Sequence, residues 1–154
     1  MTYAYGEIYV LKAQEAMGSM LHYAVYDLKM EIAAFFREFI SSGIAHRFGM
    51  GEPKYIVGMS GIEIAREVCS ITRGTEPDVE PAVFYGRTAE YWAGWALAYY
   101  EWCRNMDFRR INDAVPITEI VEMYDPYHEA DITRFVDEID RRISERNRVT
   151  CLAR

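Results

Sequence analysis

The chain has 154 residues, a length that suits one domain and leaves little room for a second. Apolar types make up 51% and aromatics 14%, which excludes disorder for most of the chain. The 24 acids against 17 Lys and Arg give a net charge of −7 and a pI near 5.0, which disfavours a phosphate backbone as partner.

Ile8, Leu11, Met17, Met20, Leu21, Ala24, Val25 and Leu28 recur at three- and four-residue steps, so a first amphipathic helix is predicted over about residues 6–28. Ile32, Phe35, Phe36, Phe39 and Ile40 repeat the pattern in a second helix that Ser41, Ser42 and Gly43 end. Gly49, Met50, Gly51, Glu52 and Pro53 form a break, because two glycines weaken a helix and Pro53 removes a donor. Ser60 and Glu63 have the spacing of a capping box, and the helix they open carries Ile62, Ile64, Ala65, Val68 and Cys69 before Gly74 stops it.

Residues 75–87 form an acidic, proline-bearing connector without periodicity. Beyond the Thr88 cap, the helix over 88–105 is apolar on nearly every side, with Tyr91, Trp92, Trp95, Leu97, Tyr99, Tyr100 and Trp102 among small residues, as expected of a central helix. Short helices follow at 108–114 and 117–124, the second ending before Asp125 and Pro126. The last helix sets Ile132, Phe135, Val136, Ile139 and Ile143 on one face, and residues 147–154 read as a flexible basic tail. No run alternates for more than four residues, so the fold class is all-α: a single domain, 1–154, of about five to seven helices around the aromatic helix.

Cys69, Cys103 and Cys151 are odd in number and form no CxxC pair, which fits a reducing compartment and a cytoplasmic location. The start MTYAYGEIYV lacks a basic region followed by an apolar core, so no secretory signal is read there. The apolar run from Tyr91 to Tyr100 falls short of the roughly 18–20 residues a membrane span needs, so no membrane role is expected.

Chemistry-bearing residues are sparse. His128, Glu129 and Asp131 cluster, but two ligands on one helix face are too few for a metal, and His22 and His46 have no donor at metal-motif spacing; no metal and no cofactor are assigned. Placing acids in the first turn of the last helix is the simpler role for this trio. Cys103 and His46 are weighed as a nucleophile and base against a packed thiol, and packing is favoured. Gly58, Met59, Ser60 and Gly61 approach a nucleophile elbow but serve better as the capping box, and the glycines at 49, 51, 58 and 61 follow no strand that would make a phosphate loop. Helix three, with Arg66 and Arg73, is too poor in cations for a DNA reader. No catalytic residue is assigned, and an enzyme is disfavoured.

Two candidate surfaces remain. Residues 113–140 hold nine acids against Arg134, a local charge of −8, followed by the basic set Arg141, Arg142, Arg146, Arg148 and Arg154. Tyr85, Tyr91, Tyr124 and Tyr127 stand near helix ends, either as partner anchors or as rim packing. A protein-binding surface is therefore assigned to Tyr124, Tyr127, Asp131, Asp137 and Glu138. The alternative is a pocket for a small ligand or substrate lined by Trp92, Trp95, Tyr99 and Tyr100, with His128 and Glu129 for proton transfer. An acidic DNA mimic or an inhibitor of a defence protein would use the same acidic face.

Residues 22–28 (HYAVYDL), 35–68 (FFREFISSGIAHRFGMGEPKYIVGMSGIEIAREV), 90–102 (EYWAGWALAYYEW) and 114–140 (AVPITEIVEMYDPYHEADITRFVDEID) resemble an uncharacterised family of small helical proteins of gut Firmicutes. Arg87, Thr88 and Ala89 stand where that family often carries Ser-Pro, and Glu52 replaces a more usual Asn, both changes of a cap or turn. The resemblance implies operon neighbours that look like small ADP-ribosyltransferases. By that implication the chain is a non-enzymatic, antitoxin-like partner that neutralises such a protein.

Overall fold

In the computed structural model, which describes residues 2–83 and 86–152, the apolar periodicities become ten α-helices and no strand among the described residues. They are α1 (Val10–His22), α2 (Ile32–Ser41), α3 (Ile44–Gly49), α4 (Pro53–Ile56), α5 (Gly61–Arg73), α6 (Ala89–Arg104), α7 (Phe108–Ala114), α8 (Ile117–Glu122), α9 (Tyr124–Tyr127) and α10 (Ile132–Leu152). No helix among the described residues is long and apolar enough to cross a membrane.

The first helix differs from its predicted form. A 3₁₀ turn (Glu7–Tyr9) precedes α1, and a π turn (Tyr23–Asp27) ends it. The buried stripe runs through Val10, Ala13, Met17, Met20, Leu21 and Ala24, while Ile8 and Leu11 are 82% and 62% exposed. At about 100° per residue both lie far round the helix from Val10. Hydropathy found the lower part of the stripe, Met17, Met20, Leu21 and Ala24, and missed its upper part, where the small and polar residues Ala13 and Gln14 are buried.

That close approach is a backbone seam. A Cβ on Gly94 would collide with the Met17 carbonyl, and one on Gly18 would come within 2.9 Å of the Tyr91 carbonyl oxygen. With side chains absent at the crossing, α6 buries Trp92, Ala93, Ala96, Leu97, Tyr100, Glu101 and Trp102 around it. The capping box of α5 is present in both directions, and Gly74 takes φ 80° at its end.

The break at 49–53 contains more helix than predicted. Phe48 of α3 and Tyr55 of α4 are fully buried, so tertiary packing holds two helices too short to persist alone. Pro126, expected to follow a helix, lies inside α9, where it costs no intrahelical hydrogen bond in a four-residue turn. Phe36, Phe39, Phe48 and Phe108 pack edge-on or tilted at 5.6–6.5 Å, which joins α2, α3 and α7. Phe135 of α10 meets Trp92 at 5.4 Å. Residues 147–152 continue α10 as helix, and the rest of the basic tail lies outside the described residues.

Candidate functional site

The N-terminal end of α6 is set by Thr88. Its hydroxyl accepts the Tyr91 N–H at 3.1 Å and faces His22 Nδ1 at 3.0 Å, which ties the cap to the end of α1. The His22 ring stacks on Tyr26 with centroids 4.8 Å apart, and the Tyr26 hydroxyl donates to Glu90 at 2.9 Å. The π turn widens the chain at this point, a distortion common at binding sites.

Side chains around that turn hold part of the 75–87 connector. The Tyr23 hydroxyl donates to the Val79 carbonyl, which also accepts from Arg66 at 2.8 Å, and Asp27 accepts the Ala82 N–H at 3.0 Å. Between connector and helices lies a cavity of about 490 Å³ whose wall includes Ser19, His22, Asp27, Ile62, Arg87 and Tyr91. On the far side of Arg87 and Tyr91 is a second chamber of about 160 Å³, lined also by Trp92, Trp95, Tyr124 and His128. The Arg87 guanidinium lies over the Tyr91 ring, 5.4 Å from its centroid, so this pair is a wall common to both spaces. Burial pushes the Tyr91 phenol above its ordinary range, against the lowering charge of Arg87.

The smaller chamber gathers part of the pocket expected from sequence. Tyr124 stacks on His128 at 4.1 Å and meets Trp92 edge-on at 6.0 Å, while His128 Nδ1 approaches the Tyr124 carbonyl at 2.7 Å. Tyr99 is placed elsewhere, tilted against Trp102 at 5.7 Å, and Tyr100 is buried with its hydroxyl on Asp140. Glu129 stands 3.8 Å from His128 with its side chain 90% exposed, outside the chamber wall.

The residues assigned to an acidic contact face are largely engaged within the molecule. Asp131 accepts the Thr133 N–H at 2.9 Å, which holds its carboxyl below the usual range, and caps the start of α10. Glu138 accepts from Arg141 and Arg142, and hydrogen bonds from the first of these chiefly hold its carboxyl down to about 2. Glu119 pairs with Arg146 and Arg142 across the gap from α8 to α10. Tyr127 packs partly against the core, and Asp137 is exposed. Tyr85 lies outside the described residues.

His46 faces Asp107 at 2.9 Å, whereas Cys103 accepts from Arg104 at 3.6 Å. Arg66 and Arg73 of the disfavoured DNA-reading helix are bound to Tyr23 and Glu38. Among the described residues, no three His, Cys, Asp or Glu side chains converge as a metal site.

Two features escaped sequence reasoning. His22 enters the site through Thr88, 66 positions away, and the one local signal was its i,i+4 spacing from Tyr26. Glu101, inside an aromatic run, is only 1% exposed, and its Oε1 has no hydrogen-bond partner. Burial, helped by Asp107, pushes its carboxyl up to about 9. The Tyr5 hydroxyl is likewise buried without a partner and is raised by burial and by Glu101. No family model, curated protein or solved structure matches this chain.

Proposed function

We propose that the chain is a small-ligand-binding protein that receives its ligand in the two chambers joined at Arg87 and Tyr91. The observation that carries this reading is the shared wall: an aromatic chamber of about 160 Å³ and a more polar one of about 490 Å³ meet at one guanidinium-capped ring. The chemistry it supports is binding: His22 and Asp27, which face the larger space, are engaged in holding a cap and the connector, while Arg87 lies over the Tyr91 ring at the shared wall. A ligand-observed NMR screen of ring-bearing fragments tests it, with Trp95→Leu as the mapping variant. Hits should lose most of their affinity in the variant, and hits that bind it equally well would remove the site from this groove.

A second reading rests on a different observation. Val149 and Leu152, on the final turns of α10, are 61% and 82% exposed. Apolar side chains on an exposed helix end suit a protein partner, and the family resemblance points to an antitoxin-like role against an ADP-ribosyltransferase-like protein in the cytoplasm. Co-expression with the products of flanking genes tests this: co-purification and relief of toxicity are expected, both weakened by Leu152→Glu and by Asp137→Lys. Both readings take the aromatic helix 88–105 as the organising centre of the fold.

A further inference from the structure

We propose that the ligand is a flat aromatic acid, its rings in the chamber of Trp92, Trp95, Tyr124 and His128 and its carboxylate on Arg87; this inference rests on the small-ligand reading above. Three observations converge on that class.

The smaller chamber is walled by ring systems. A volume of about 160 Å³ suits one or two fused rings, and Trp92, Tyr124 and His128 are already fixed against one another by stacking and edge contacts. Rings held in place before binding lose little freedom when a flat ligand enters.

Charge decides which end of the ligand goes where. Among the described residues lining the smaller chamber, Arg87 is the only Lys or Arg and no Asp or Glu is present. The larger chamber contains Asp27, which would repel an anion placed deeper on that side. An anionic group is therefore favoured at the boundary and a ring beyond it.

Among the described residues, Arg87 is also free of a competing acid. Arg47, Arg73, Arg104, Arg141, Arg142 and Arg146 all pair with carboxylates, whereas Arg87 lies over Tyr91 and no carboxylate among the described residues pairs with it. Arg87 is exposed, and a guanidinium stacked on a ring can bind a carboxylate through two parallel N–H donors, which a lysine could not reproduce.

Isothermal titration of the full chain with 2-naphthoate and its uncharged counterpart 2-naphthamide tests the inference. The acid should bind at least about ten-fold more tightly than the amide, and Arg87→Gln should bring that ratio to about one. Arg110→Gln, which removes the same charge from an exposed position, should keep the ratio. Thermal unfolding of each variant confirms that it is folded. Equal binding of acid and amide to the wild-type chain would overturn the acid class while leaving a ligand site in place. Acid binding that survives Arg87→Gln would overturn the assignment of the anion to Arg87. Binding of neither compound at millimolar concentration would overturn this inference and count against the small-ligand reading.

Discussion

The two ends of α6 carry similar residues to opposite ends. At the C-terminal end Trp102 is sealed: Tyr3 stacks on its ring at 4.2 Å, its indole N–H donates to the Tyr5 carbonyl at 2.8 Å, and the adjacent Glu101 is buried with one oxygen unpartnered. At the N-terminal end Tyr91, Trp92 and Trp95 line open chambers beside Arg87. The difference is what covers each end. Residues 3–5 close over one end by backbone pairing, including the Ala4 N–H to the Trp102 carbonyl at 3.0 Å, whereas the connector held by Tyr23, Arg66 and Asp27 arches over the π turn and leaves volume beside the other. Aromatic content alone therefore does not distinguish a core from a binding surface.

The most severe way to break this arrangement is to separate α6 from α1. Gly94→Leu places a branched side chain against the Met17 carbonyl, and it should cost more than about 3 kcal/mol or prevent folding, read by circular dichroism and chemical denaturation. Next in size is the ionisation of Glu101. Its carboxyl is raised from 4.5 to about 9, so below about pH 4.5 folded and unfolded chains are both protonated there and the full stability is present. As pH rises the unfolded chain releases this proton first, and stability is lost at up to about 1.4 kcal/mol per pH unit until the folded chain also ionises near pH 9. Glu101→Gln should flatten that slope; an unchanged pH profile would show that the carboxyl is already satisfied.

A smaller effect sharpens the comparison directly. Trp102→Leu should cost about 2–3 kcal/mol by loss of buried ring area and of its indole hydrogen bond, whereas Trp95→Leu should cost about 1 kcal/mol, because Trp95 is only partly buried. Equal losses in thermal unfolding would mean that the N-terminal end is packed as tightly as the other. The smallest effect concerns the exit from the π turn. Lys29 holds φ 58°, a strained value for a residue with a Cβ, and Lys29→Gly should raise stability by about 0.5–1 kcal/mol in denaturant titration.

Much of the helical plan was legible from local patterns. The cap at Ser60, the stops at Gly43 and Gly74 and the single face of α10 are properties of contiguous residues, and each matches the structure. The acidic stretch at 113–140 was legible as a count but not as a surface. Glu119 meets Arg142 and Arg146 only because α10 passes within ion-pair reach of α8, so of the nine acids Glu119 and Glu138 are answered by arginines that the sequence places after them and Asp140 by the earlier Arg104. Likewise Trp92, Trp95 and His128 could be named as a pocket from residue type, but Tyr99, on the same helix, points to a different neighbour.

By itself the sequence determined the all-helical class, the termini of α2, α5, α6 and α7 and the apolar face of α10, because hydrophobic period, caps and glycine stops act over a few residues. Tertiary structure alone decided that His22 joins Thr88, that Arg87 and Tyr91 divide two chambers, and that Glu101 is buried with one oxygen unpartnered. These relations depend on how closely backbones cross at Gly18 and Gly94 and on which segment covers each end of α6, and such long-range packing leaves no periodic trace along the chain.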